Sequence, residues 1–111
     1  LCDRFQDATV AYQGYAGGMD IEMLNKLCDI ATTALKPDYT ILLDIDVQLG
    51  LSRAGCKDRM EKKSVAFHEK VRQGYLALAK KYPQRIKVVK VIGNIPQTQE
   101  EIREIICHLI K

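Results

Sequence analysis

Nothing in this 111-residue chain stays apolar for the ~20 consecutive residues that a bilayer-crossing helix needs, so no membrane span is expected. No signal peptide is visible either. The four cysteines, Cys2, Cys28, Cys56 and Cys107, include no C-x-x-C pair. That excludes the usual zinc and thioredoxin spacings and leaves reduced thiols in a cytoplasmic protein as the expected state. Neither sign of charge dominates: 17 basic against 14 acidic residues give +3, too mild to point to nucleic acid. Lys57, Arg59, Lys62 and Lys63 form a local basic cluster, whose plain reading is a solvated loop. His68 and His108 stand alone, each on an expected helix, and no metal site follows from them. Repeats, low-complexity tracts and linkers are absent, so the chain reads as one domain or a part of one.

A phosphate-binding loop is missing as well. Gly50 and Gly55 have the G-x-x-x-x-G spacing, but Cys56 stands where lysine is required, and the segment follows a helical stretch. The motif needs G-K-[ST] between strand and helix, so that backbone amides and the lysine surround the phosphates.

What is present suits a packed, soluble α/β chain: 47% hydrophobic and 28% charged residues. Residues 1–5 read as the end of a strand entering a loop. That would place Asp3 and Arg4 beyond the carboxyl end of a parallel strand, where ligands collect. Asp20 caps an expected helix over 20–36, with Leu24, Leu27, Cys28, Ala31, Ala34 and Leu35 as its apolar stripe and Pro37 as its stop. The run 39–45 fits a strand buried on both faces. Asp46 caps a short helix over 47–54, and a charged loop follows. The helix expected over 64–81 has Phe67, Val71, Tyr75, Leu78 and Tyr82 along one side. Residues 86–92 read as a second strand and 93–96 as a loop. Thr98 with Glu101 suggests a capping box for a last helix that buries Ile102, Ile105, Ile106, Leu109 and Ile110. This alternation predicts a parallel sheet covered by helices.

The chemistry concentrates near the start. If residues 7–13 are helical, Thr9, Tyr12 and Gln13, at i, i+3 and i+4, project from one face. That face would carry a hydroxyl, a phenol and an amide that both donates and accepts, which suits a small planar polar ligand better than a core. Arg4 supplies a planar cationic fork matched to phosphate.

This stretch closely resembles the D-R-F-x-D-[ST]-[ST]-x-A-Y-Q-G signature of bacterial thymidylate kinases, and later landmarks extend the resemblance along the whole chain. The fold it implies is α/β, a three-layer α/β/α parallel sheet of the P-loop nucleoside monophosphate kinase type. The chain would be the C-terminal part of the single kinase domain, lacking the N-terminal P-loop half. The implied reaction is transfer of the γ-phosphate of ATP to thymidine monophosphate with Mg²⁺, in a cytoplasmic homodimer that needs neither nucleic acid nor membrane. Without a P-loop the 111-residue chain alone is expected to be inert. The alternatives are a non-catalytic nucleotide-binding or dimer-forming fragment, or a kinase for another nucleoside monophosphate.

The resemblance also assigns roles. Residues 1–19 would bind thymidylate: Arg4 its phosphate, Thr9 and Gln13 the thymine ring, and Tyr12 the sugar, where it disfavours a ribonucleotide hydroxyl. Asp3 would either help organise metal-bound water and phosphate or orient Arg4. Residues 52–63 would be the lid, whose D-R-[IM]-E element is matched by Asp58-Arg59-Met60-Glu61. Arg53 and Arg59 are its catalytic candidates, with Lys57 third, because a closing loop can bring positive charge to the donor phosphates. Tyr75 matches the tyrosine of a G-Y-L-x-L-A helix near the bound nucleotide, although it also belongs to its helix's apolar stripe. Residues 93–96 lie where related kinases border adenine. One departure stands out: many bacterial relatives have Y-A-R-G where this chain has Tyr15-Ala16-Gly17-Gly18.

Overall fold

The computed structural model describes residues 1–55 and 63–110. The elements are α1 (Phe5–Thr9), a π-helical segment (Val10–Ala16), α2 (Ile21–Thr32), β1 (Thr40–Asp44), α3 (Val47–Ala54), α4 (Val65–Lys81), β2 (Ile86–Lys90) and α5 (Ile95–Leu109). The fold is α/β. β1 and β2 pair in parallel from Thr40↔Ile86 to Asp44↔Lys90, and α4 packs against both strands and the π-helical segment. Among the described residues no helix is long and apolar enough to cross a membrane.

Three helix starts follow from single side chains that accept an orphan amide. Asp20 takes the amide of Met23 at 2.8 Å, Asp46 that of Leu49 at 3.1 Å, and Ser64 that of Phe67 at 3.2 Å. The last helix starts elsewhere than at Thr98. Asn94 accepts from the Gln97 amide at 3.0 Å while the Gln97 side chain accepts from the Asn94 amide at 2.9 Å. This reciprocal pair closes first, and Pro96 is tolerated in the first turn, where no intrahelical donor is needed.

Other expectations also require correction. α2 ends at Thr32, four residues short of Lys36: Thr33 and Ala34 turn left-handed, and the Ala34 amide bonds Asp29 O at 2.7 Å. Two successive β-branched threonines weaken the helix there before Pro37 is reached. On α2 only Leu24 and Cys28 are buried, while Leu27 and Leu35 are exposed. β1 is not buried on both faces, since Leu43 is exposed. α5 buries none of its residues: Ile102, Ile105 and Leu109 are half-buried, Ile106 and Ile110 exposed. Residues 1–4 form no strand, since the ladder's only described register runs between β1 and β2. The expected charged loop and the Asp58–Glu61 element lie outside the described residues.

The core sits where α4 crosses the π-helical segment. Val10, Leu78, Ala79 and Ile86 are buried together, with Tyr15, Ile21 and Leu42 packed against them. The crossing is close enough that a Cβ on Gly74 would lie 2.7 Å from the Tyr15 Cβ. Glycine at that position is therefore what lets α4 bring its next residue, Tyr75, up to the π-helical segment.

Candidate functional site

Asp3, Arg4 and Phe5 make a tight three-residue turn. Arg4 has φ 67° and ψ −48°, and the Phe5 amide bonds Asp3 O at 2.9 Å. This is the positive-φ γ-turn, a strained conformation. Phe5 follows at φ 45°, also left-handed. Non-glycine residues held this way cost on the order of 1–3 kcal/mol each and persist only where the surroundings over-determine them. The turn leaves the Arg4 side chain exposed, its contact with Asp3 a 4.0 Å pair in solvent that contributes little.

The chain then runs one turn of α-helix and widens into the π-helical segment. The wider i→i+5 turn changes the face expected from α-helical spacing. Tyr12 swings against α4, its ring centroid 6.2 Å from Phe67 and 6.4 Å from Tyr75, edge-on to the latter. Such tilted and T-shaped aromatic pairs are favourable. Thr9 is half-buried and Gln13 exposed. At the end of this segment, a Cβ on Gly17 would lie 2.7 Å from the Gln13 carbonyl oxygen. Any side chain at this backbone position, the arginine of the Y-A-R-G pattern included, would require a shift.

Asp3, Arg4, Tyr12 and Tyr75 all line one hollow of about 940 Å³, a volume within the range of small-molecule sites. Its far wall is apolar and includes Ile41, Leu43, Ile106 and Leu109. Thr9 and Gln13 are not among its lining residues. Arg53 is exposed in the last turn of α3, away from the hollow. Arg59 and Lys57 lie outside the described residues. Tyr75 also borders a smaller cavity of about 190 Å³ beneath β1, next to the Asp44–Arg72 ion pair at 2.7 Å.

Burial pushes the Tyr75 phenol up to about 12, with Tyr12, Asp7 and Asp3 adding to the shift and Arg4 opposing it. The phenol is therefore a neutral donor at physiological pH. The folded value lies above the ordinary 10.0, so the protonated form favours the fold. This contribution is complete below pH ~10 and is lost as pH rises towards ~12. An alkaline spectrophotometric titration is expected to show one phenol ionising near 12 that Tyr75→Phe removes. Retention of that step in the variant would refute the assignment.

Asp7 and Arg85 are the pair that sequence reasoning missed. Arg85 Nη1 donates to Asp7 Oδ2 at 2.7 Å and Nη2 to Oδ1 at 2.9 Å, while Nη1 also donates to Thr40 Oγ1 at 3.1 Å. The bond to Asp7 raises the Arg85 pKa, against an opposing effect of burial. Asp7 was visible in the opening pattern, but nothing in Gln84-Arg85-Ile86 marks the arginine as its partner. Among the described residues no group of three or more His, Cys, Asp or Glu side chains is placed to hold a metal ion.

Parallel strands backed by helices, with a cationic turn and two tyrosines around one hollow, define an α/β protein, and its likeness to a solved kinase gives it the nucleoside monophosphate kinase fold. The crystal structure of thymidylate kinase from Ehrlichia chaffeensis superposes with a TM-score of 0.69 at 33% identity, over 95% of this chain and 48% of that one. The sequence pattern of the family described as thymidylate kinase matches residues 1–102. The chain is 44% identical to thymidylate kinase of Nostoc punctiforme, over all of this chain and 53% of that protein. It is 48% identical to that of a Geobacter species, over 88% of this chain and 48% of the relative. The chain belongs to the thymidylate kinase family, and it spans about half the length of these relatives.

Proposed function

We propose that the protein to which this chain belongs transfers the γ-phosphate of ATP to thymidine monophosphate, giving the diphosphate and ADP in the cytoplasm. The observation that carries the reading is the convergence of Asp3, Arg4, Tyr12 and Tyr75 on one hollow in a chain of this family. In this reading residues 1–19 bind the acceptor: the Arg4 guanidinium takes the phosphate, with Asp3 beside it at the mouth of the hollow. Tyr12 and Tyr75 pack against the sugar and base, and Thr9 and Gln13 contact the thymine edge. Residues 52–63 form the lid, with Arg53 and Arg59 neutralising charge on the transferred phosphoryl group. Such transfer is accelerated mainly by positioning and charge stabilisation, which this set supplies on the acceptor side. The Mg²⁺ that accompanies ATP in such kinases finds no ligand cluster among the described residues. With no G-K-[ST] loop to grip ATP, the 111-residue chain by itself is expected to be inactive.

The test is ADP release by the protein expressed from its intact gene, with thymidylate compared against uridylate and guanylate. Arg4→Ala removes charge-assisted bonds worth about 1.5–3 kcal/mol, and is expected to weaken thymidylate by about 10- to 150-fold. Unchanged affinity in the variant, or a preference for another acceptor, would overturn the reading.

The same reading includes a homodimer. Met23, Leu27 and Ile30 on α2 stand at i, i+4 and i+7 and are all exposed, an apolar stripe that a second copy would cover. Leu27→Asp is expected to convert a sedimenting dimer to monomer; a variant that still sediments as a dimer places the interface elsewhere.

A further inference from the structure

We propose that the Asp7–Arg85 ion pair holds the Asp3–Arg4–Phe5 turn in its strained shape and thereby aims Arg4 at the nucleotide phosphate. The inference rests on Arg4 being the phosphate ligand of the proposed function and assigns that site two positioning residues. Two successive non-glycine residues, Arg4 and Phe5, sit at φ 67° and 45°, and the turn's own hydrogen bond is the single 2.9 Å contact from the Phe5 amide. α1, which follows at once, is 5 residues long and continues into the π-helical segment, and Arg4 gives its start no side-chain cap. Something beyond the local chain must hold it.

Asp7, in the middle of α1, is buried. Both of its carboxylate oxygens accept from Arg85, at 2.7 and 2.9 Å. Arg85 is itself fixed from two further sides. It donates to Thr40 Oγ1 at the start of β1, and its guanidinium lies 5.2 Å from the Tyr82 ring centroid. The planar fork therefore ties α1 to the edge of the sheet, in a bidentate geometry that lysine cannot reproduce. With α1 fixed, the chain entering it is left with the tight turn, and Arg4 projects into the hollow's lining beside Tyr12 and Tyr75. A pair that served only to stabilise the fold would hold the aromatic and phosphate parts of the site alike. A pair that aims Arg4 acts on the phosphate alone.

The experiment compares thymidylate with thymidine, which lacks the phosphate, by calorimetric titration of the protein expressed from its intact gene. Arg85→Lys keeps the charge and loses the fork. Thr40→Val removes only the 3.1 Å tether and is the milder variant should the first fail to fold. Arg85→Lys is expected to weaken thymidylate by about tenfold, the scale of a small misplacement of a binding group. Thymidine binding should stay within about twofold. Thr40→Val is expected to act in the same direction and less strongly. In an Arg4→Ala background neither substitution should weaken thymidylate further, because the group they aim is gone. Equal losses for both ligands, or a loss that persists without Arg4, would overturn the inference while leaving Arg4 as phosphate ligand. If Arg4→Ala itself weakens thymidine as much as thymidylate, the phosphate reading of Arg4 falls and this inference falls with it.

Discussion

Replacing Asp7 by alanine is expected to cost about 3–5 kcal/mol of stability, because it strands the Arg85 guanidinium in a mostly buried site without its counter-charge. Domains of this kind are stable by about 5–15 kcal/mol in total, so the variant should unfold at far lower urea, or not fold at all. Asp3→Ala is the control. Its ion pair among the described residues is a 4.0 Å contact with both side chains in solvent, and its cost should stay within about 0.5 kcal/mol. Replacing both partners, Asp7→Leu with Arg85→Met, is expected to recover much of the loss, since the expense lies in one unpaired buried charge. A single-variant cost under about 1 kcal/mol would show that Arg85 finds another acceptor. The bond to Asp7 raises the Arg85 pKa. Its contribution is therefore complete below the unfolded value and lost only above a still higher folded one, so alkali should act through Tyr75 first.

Leu78→Ala should cost about 2–5 kcal/mol. Leu78 is 3% exposed and touches the centre of the core formed by Val10, Ala79 and Ile86. That cluster joins three separate elements, the π-helical segment, α4 and β2, so a cavity there cannot close by moving one of them. Denaturant unfolding of this variant beside Ile110→Ala gives the comparison, since Ile110 is 77% exposed and should contribute less than about 0.5 kcal/mol. Equal costs at the two positions would contradict the burial described here.

Local rules read off the sequence located most elements and misplaced several of their ends. Asp20, Asp46 and Ser64 each satisfy an amide three residues on, so a helix start needs only a short window of sequence. For the last helix the same window pointed to Thr98 with Glu101. It could not tell that the Asn94–Gln97 pair would form ahead of Thr98 and Glu101. Apolar periodicity marked the right face of α4, with Val71 and Leu78 buried, and overstated burial on α2 and α5. Periodicity shows which residues share a face, and whether that face is covered depends on what packs against it.

The candidate site divides in the same way. The opening motif, read as a pattern, marked Asp3, Arg4 and Tyr12, and the structure brings them with Tyr75 to one hollow. It did not show that the helix widens at Val10, nor that Tyr12 lines the hollow without Thr9 and Gln13. Nor did it show that Arg4 sits in a strained turn.

By itself, then, the sequence determined the family signature, the parallel α/β order and two helix caps, Asp20 and Asp46, all of which depend on neighbours within a few positions. Only the tertiary structure decided that Asp7 meets Arg85 across 78 residues, that Tyr12 stands edge-on to Tyr75, and that Gly74 admits Tyr15. Charge pairing, ring contact and close packing act over a few ångströms of space, and separation along the chain does not enter their energies.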